Sequence, residues 1–262
     1  MAHYILQSNT NDLDIENEII KDLLKKNKML YNYDTMALND IKEGSKLVVD
    51  GNIPIGDIPF VTKFLNITYG LEKENPIEIP VYLRTDEFLK RDYKILEIEN
   101  LPRLGNYFIK DVETLKHFSY TGYLEYLPID EMLQESAKSY DYSLKIKPHT
   151  LYSMSSIFYI QSEYRVYIID GEIEAIANYN GDCTILPDIN LIKKMIQLIN
   201  YNEKWLKSYT LDIMVGKEGT AIIEVHNFAS VGLYTSLWGD SLLYAYKQGI
   251  EYLVNDNHRI VV

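Results

Sequence analysis

The stretch LDIMVGKEGTAIIEVHNFASVGLY, residues 211–234, decides how this chain reads. Two apolar runs flank the turn Gly216-Lys217-Glu218-Gly219, which is the pattern of a β-hairpin. Inside those runs stand groups that a buried strand should avoid: Asp212 in the first, and Glu224, His226 and Asn227 in the second. If Lys217, Glu218 and Gly219 form a three-residue loop, Gly219 takes the left-handed bulge position and the register sets Asp212 opposite Glu224. Like charges in direct opposition destabilise a strand pair, and burial of two neighbouring carboxylates raises the pKa of both. A divalent cation removes both penalties, and Mg²⁺ takes one or two carboxylates together with substrate phosphates. His226 falls on the face of Glu224 because strand side chains alternate. Two plainer readings are open. The acids could line a solvated face, or a four-residue loop could shift the register by one and separate them.

Composition bounds the rest. The 262 residues, 47% apolar and 24% charged, hold ample material for a large core, in one two-lobed protein or two small domains. A net charge of −12 argues against a broad footprint on nucleic acid or an anionic membrane, and leaves a local basic pocket open. Cys183 is the single cysteine, so no intrachain disulfide forms, which fits a reducing compartment. Residues 1–30 show no signal-peptide core, and no apolar run approaches the roughly 18 residues of a membrane span. The expectation is a soluble, cytoplasmic protein with no membrane partner.

Along the chain, HYILQ (3–7) reads as a first strand, and residues 12–29 place Ile15, Ile19, Leu23 and Leu24 on one helical face. Residues 46–65 read as a strand, a Gly/Pro turn and a second apolar element, so the N-terminal region is a small open α/β sheet. Residues 74–83, with two prolines, read as an extended connector, and a boundary falls near residue 105. YFIK is a strand ending in Lys110, followed by an irregular Lys/Tyr/Gly segment. Residues 157–180 form a hairpin turning at Asp170-Gly171 in type I′ geometry. Residues 187–206 are an amphipathic helix with Asp188 as N-cap, and 238–254 a closing helix. In the hairpin at 157–180, Glu163, Arg165 and Tyr167 share a face, with Glu174 opposite Tyr167. Tyr164 and Val166 occupy the other face, so that strand is buried on one side, and a guanidinium there suits phosphate or carboxylate recognition. Taken alone, Lys110, Lys116, His117 and His149 read as surface residues.

Several chemistries lack their signatures. No G-x-x-x-x-G-K-[ST] loop, kinase catalytic loop, zinc-ligand spacing or G-x-S-x-G nucleophile elbow occurs. In order, however, PIGDIPFV (54–61), YFIKDVETLKHFSYTG (107–122), SEYRVYIIDGEIE (162–174) and the stretch 211–234 resemble the ATP-grasp superfamily, in particular its small bacterial and phage members. The resemblance covers nearly the whole chain and implies an α/β and α+β fold. An N-terminal open α/β domain (1–105) would precede a two-lobed ATP-grasp domain (106–262), with lobes at about 106–160 and 161–262.

The resemblance also implies chemistry. ATP-grasp enzymes hold ATP between two lobes and typically join a carboxylate to an amine or a related nucleophile such as a thiol, through an acyl-phosphate. The cofactors would be ATP and Mg²⁺, and the substrates a carboxylate and an amine, as small molecules or peptides. Lys110 resembles the strand-end lysine that contacts ATP, and Lys116 the second lysine near the phosphates. Glu163 and Arg165 match the Glu-x-Arg element whose arginine faces phosphate, which with Lys116 makes Arg165 a catalytic candidate. Asp212 and Glu224 match the acidic metal ligands. The family often reads Glu-x-Asn where this chain has Glu224-Val225-His226, with the asparagine one residue late at Asn227. Either His226 serves in that place or a bulge turns Asn227 inward. Loss of catalysis, with nucleotide binding kept as a binding module, is the alternative that this departure raises. The family often dimerises, so a homodimer is open.

Overall fold

The computed structural model of the chain describes residues 2–8, 15–27, 31–71, 79–102, 104–112, 119–124, 131, 133, 151–234 and 239–255. The first sheet grows from short apolar strands separated by helices, the pattern that forces parallel pairing. β1 (Ala2–Ser8) lies between β2 (Tyr31–Ala37) and β3 (Asn52–Ile55), parallel to both. α1 (Ile15–Lys26) and α2 (Ile58–Tyr69) connect to this sheet. α2 starts where the sequence says it should: Asp57 accepts from the Phe60 backbone N–H, Pro59 sits in the first turn, and Gly70 closes the helix in left-handed geometry (φ 68°). The expected strand at 46–50 is instead a run of turns, and the strand begins only at Asn52.

Two antiparallel sheets follow. One has the order β4 (Tyr93–Glu97), β7 (Leu151–Ser156), β5 (Gly105–Asp111), β6 (Ser119–Leu124). β4 lies before residue 105, yet it pairs with β7 in this sheet. β6 occupies part of the segment that reads as irregular, and β7 part of a segment that reads as loop. β7 escapes notice because its sequence is LYSMSS: Tyr152 and Met154 enter a core with Ile109 and Leu124, while Ser153 and Ser155 alternate onto the other face. Lys110 pairs with Ser153 and Ser119, so it shares that second face.

The other antiparallel sheet has the order β11 (Gly219–Asn227), β10 (Tyr209–Gly216), β8 (Ile160–Ile169), β9 (Glu172–Gly181). β8 and β9 turn at Asp170-Gly171 with φ 50° and 78°, as type I′ requires. One face packs Val166, Leu211, Ile213, Ile222 and Val225 against α4 (Ile189–Asn202) through Ile192, Met195 and Ile199. Asp188 caps α4 by accepting from the Asn190 and Leu191 N–H groups. α3 (Asp86–Leu89) adds Phe88 and Leu89 to the same core. The segment after β11 and the closing helix α5 (Asp240–Val254) join the core of the first sheet, with the Tyr4 hydroxyl donating to the Leu243 carbonyl at 3.1 Å. A mixed α/β fold, with an open parallel sheet followed by two antiparallel sheets, is therefore what the chain forms.

Bulges set the register at the centre of the third sheet. Gly216 pairs directly with Gly219, so Lys217-Glu218 is a two-residue turn, not the expected three-residue loop. That alone would place Asp212 opposite Ile223. A bulge between the Ile213–Ile222 and Asp212–Glu224 pairs leaves Ile223 as the extra residue and restores the expected opposition. The Ile222 carbonyl at this break accepts from Arg91 Nη1 at 2.8 Å. In the neighbouring hairpin Tyr167 pairs with Ala175, because a bulge falls at Glu174; the expected Tyr167–Glu174 opposition does not occur.

Candidate functional site

Alternation carries polar groups to the face of the third sheet that turns away from α4. Arg165 pairs with Asp212 and Asp212 with Glu224, so three adjacent strands place ionised groups in one row. Arg165 holds Asp212 in a bidentate fork: Nε donates to Oδ1 and Nη2 to Oδ2, both at 2.7 Å. Both side chains are nearly excluded from solvent. Nη1 donates to the Gly232 carbonyl at 3.1 Å, and the Tyr167 hydroxyl donates to the same carbonyl at 3.0 Å. The Tyr234 N–H in turn donates to the Tyr167 hydroxyl at 2.8 Å. The segment 232–234 is thus tied to the arginine.

Glu224 faces two partners. Lys110 Nζ, arriving from the second sheet, donates to its Oε2 at 2.8 Å, and His226 Nε2 lies against its Oε1. The solvated strand-end lysine that the sequence alone suggests is instead the bridge between the two antiparallel sheets. Asp212, Glu224 and His226 offer ligand atoms that all lie within 4.8 Å of one another. Asn227 goes elsewhere: it pairs with the core residue Tyr209, and its side-chain oxygen accepts from the Ala229 N–H at 3.0 Å. The bulge lies upstream, at Ile223, so nothing turns Asn227 inward.

Glu163 lies beyond Arg165 on the same strand and is hydrogen-bonded to the Tyr179 hydroxyl. Tyr179 is the extra residue of a second bulge in the β8–β9 pair, between Glu163–Asn180 and Tyr164–Asn178. The bulge brings its ring over the Arg165 guanidinium, 5.9 Å from the centroid, and stacks it on Tyr234 at 5.0 Å. Tyr234 also receives Arg165, at 4.9 Å. Burial first, then the charges of Asp212 and Glu163, push the Tyr179 phenol far above its ordinary value, so it stays protonated. Burial opposes the charge of Arg165, but its bonds to Asp212 outweigh that, and the guanidinium is held charged.

The structure therefore brings together Lys110, Glu163, Arg165, Asp212, Glu224 and His226. Lys116 lies outside the described residues, as do His117 and His149. Tyr179 and Tyr234 are the residues that alternation misses. The first is hidden by an unpredictable bulge, while the second stands in the quoted Gly-Leu-Tyr without any chemistry to mark it. The donor set fits a divalent cation: each carboxylate oxygen has a second lone pair beyond its Arg165 or Lys110 bond. The imidazole is the departure from the all-oxygen set that Mg²⁺ prefers.

Comparisons place this arrangement in a family. The model of an ATP-grasp domain, the second family of its clade, matches residues 88–238, more than half of the chain. The chain belongs to this ATP-grasp family. Among solved structures, a D-alanine–D-alanine ligase from Bacillus anthracis complexed with ATP superposes with TM-score 0.54 at 14% identity, covering 95% of this chain and 96% of that one. D-alanyl-alanine synthetase A from Vibrio cholerae gives 0.55 at 10% identity, covering 97% and 98%. The D-cycloserine synthetase DcsG gives 0.55 at 10%, covering 95% and 99%. These likenesses establish the fold. No curated protein matches the chain in sequence. No helix among the described residues is long and apolar enough to cross a membrane.

Proposed function

We propose that this protein is an ATP- and divalent-cation-dependent ligase that joins a carboxylate to an amine or thiol through an acyl-phosphate. The observation that carries this reading is the buried row Arg165–Asp212–Glu224–His226, met from the facing sheet by Lys110. Supporting it, the family is ATP-grasp, and three neighbours of the fold are by name two D-alanine ligases and a D-cycloserine synthetase. In this reading the nucleotide lies between the second and third sheets, in the domain that follows an N-terminal α/β domain.

Asp212, Glu224 and His226 would hold the cation, Mg²⁺ being the ion the family implies. When bound, it would neutralise phosphate charge. Lys110 would leave Glu224 for a phosphate oxygen, an exchange of one anion for another across the same gap. Arg165 is anchored by Asp212 and Gly232 and has N–H groups to spare, so it would meet charge building on the transferred phosphoryl group. Glu163, through Tyr179, would hold the aromatic wall beside Arg165 in place. Lys116 completes the proposed phosphate ligands. A substrate carboxylate oxygen would attack the γ-phosphorus, the bond to the β-phosphate oxygen would break, and ADP would leave. The amine would then attack the acyl carbon, lose a proton and expel phosphate. Closure of the cleft would shield the mixed anhydride from water. No side-chain nucleophile is needed.

The test is ADP release measured with pools of carboxylic acids and amines. ADP that appears only with a matched acid and amine supports the ligase. ATP bound without turnover under any pair would favour the second reading, a nucleotide-binding protein with lost or redirected catalysis. His226 in the place of the family's asparagine is the observation behind that alternative.

A further inference from the structure

We propose that the His226 imidazole is a direct ligand of the cation and that the site thereby favours a first-row transition dication such as Mn²⁺ over Mg²⁺. This rests on the reading of the cleft as an ATP and divalent-cation site, and adds the donor set that selects the ion. His226 arrives at the carboxylates by ordinary alternation two residues after Glu224, and its ladder partner is Thr210. The ladder between β10 and β11 runs without a shift from Asp212–Glu224 to Tyr209–Asn227. The ring therefore cannot leave the site face without breaking paired backbone, and its side chain is only 6% exposed. Asn227, which would have offered an oxygen, is committed to the Ala229 N–H on the other face.

A second observation points the same way. Thr210 shares the face of Asp212 and His226, is fully buried, and its hydroxyl has no hydrogen-bond partner. A buried hydroxyl without a partner costs on the order of 1–3 kcal/mol, so the pocket beside the imidazole is short of a polar occupant. Among the described residues, no further histidine, cysteine or carboxylate joins the group, so a cation there meets two carboxylates and one nitrogen from the chain. Mg²⁺ dehydrates reluctantly and prefers oxygen, whereas imidazole raises affinity for the transition dications. Mn²⁺ is the member of that series that keeps an affinity for carboxylate and phosphate oxygen. The remaining positions belong to phosphate and water.

Pulsed electron paramagnetic resonance of the full chain with Mn²⁺ and a nonhydrolysable ATP analogue reads the ligand directly. The expected spectrum carries nitrogen modulation from a directly bound imidazole. Protein grown with ¹⁵N-histidine should replace that pattern with the ¹⁵N one, which separates the imidazole from adenine. His226→Asn should remove it and lower the Mn²⁺-over-Mg²⁺ affinity ratio, measured by competition, by tenfold or more. Bound Mn²⁺ without histidine nitrogen coupling in the unmodified protein overturns the inference and leaves the ATP-site reading standing. So does an unchanged affinity ratio in a folded His226→Asn protein. Failure to bind Mn²⁺ with the analogue present overturns both. The spectrum of the unmodified protein decides the ligand question by itself, even where the variant misfolds.

Discussion

Arg165 and Asp212 form a buried bidentate ion pair in the middle of a sheet, and each is there only because the other is. Removing one partner of such a pair strands a charge in a dry site, at a cost of about 3–5 kcal/mol, while an apolar replacement of both is close to neutral. Arg165→Met should therefore lower the urea midpoint sharply, and Arg165→Met combined with Asp212→Leu should recover most of the loss. A double variant as unstable as the sum of the singles would contradict the pairing. Arg165 was legible because Tyr164 and Val166 flank it and mark its strand as half-buried. Its aromatic surroundings were not, because Tyr179 reaches it through a bulge that no residue pattern announces. Lys110 was legible only through the family resemblance: its chemical partner lies 114 positions away, beyond any periodicity.

At the scale of elements, the hairpin β10–β11 shows how a correct pairing can arise from a different loop. The extra residue needed to oppose Asp212 and Glu224 sits at Ile223, not in the turn. Sequence could count that residue but could not locate it, because the feature that marks the bulge is remote: Arg91 donates to the Ile222 carbonyl. The closing helix has a comparable close contact. A Cβ at Gly249 would lie 2.4 Å from the Phe228 carbonyl carbon and 2.6 Å from the Ala229 nitrogen, both backbone atoms. Gly249→Ala should push α5 off the segment that follows the site strand and destabilise the protein by about 1–3 kcal/mol in chemical denaturation. Glu203, at the C-terminal end of α4, has its pKa raised by burial. A raised carboxyl pKa means that stability is retained at acid pH and lost as pH rises through the folded value. Glu203→Gln should thus raise the melting temperature at neutral pH, with the gain disappearing at acid pH where both side chains are uncharged. A gain that persists in acid would contradict burial as the cause.

At the scale of the molecule, the open parallel sheet was legible from its alternation of strands and helices, and the third sheet from its two hairpins. The second sheet was largely invisible, since β6 and β7 are rich in Ser, Tyr and Gly and its strands pair out of sequence order, β4-β7-β5-β6. That sheet matters because its Lys110 is paired with Glu224 of the third. Two carboxylates and two cations neutralise one another across the cleft, an arrangement that a nucleotide with its cation would exchange for phosphate and metal contacts. Calorimetric titration with a nonhydrolysable ATP analogue, with and without divalent cation, tests this most directly. The expected result is cation-dependent binding that Asp212→Asn and Glu224→Gln each weaken by about ten- to a hundredfold, the range typical of disturbed metal sites. Binding of equal strength in both variants, or in the absence of the cation, would contradict it.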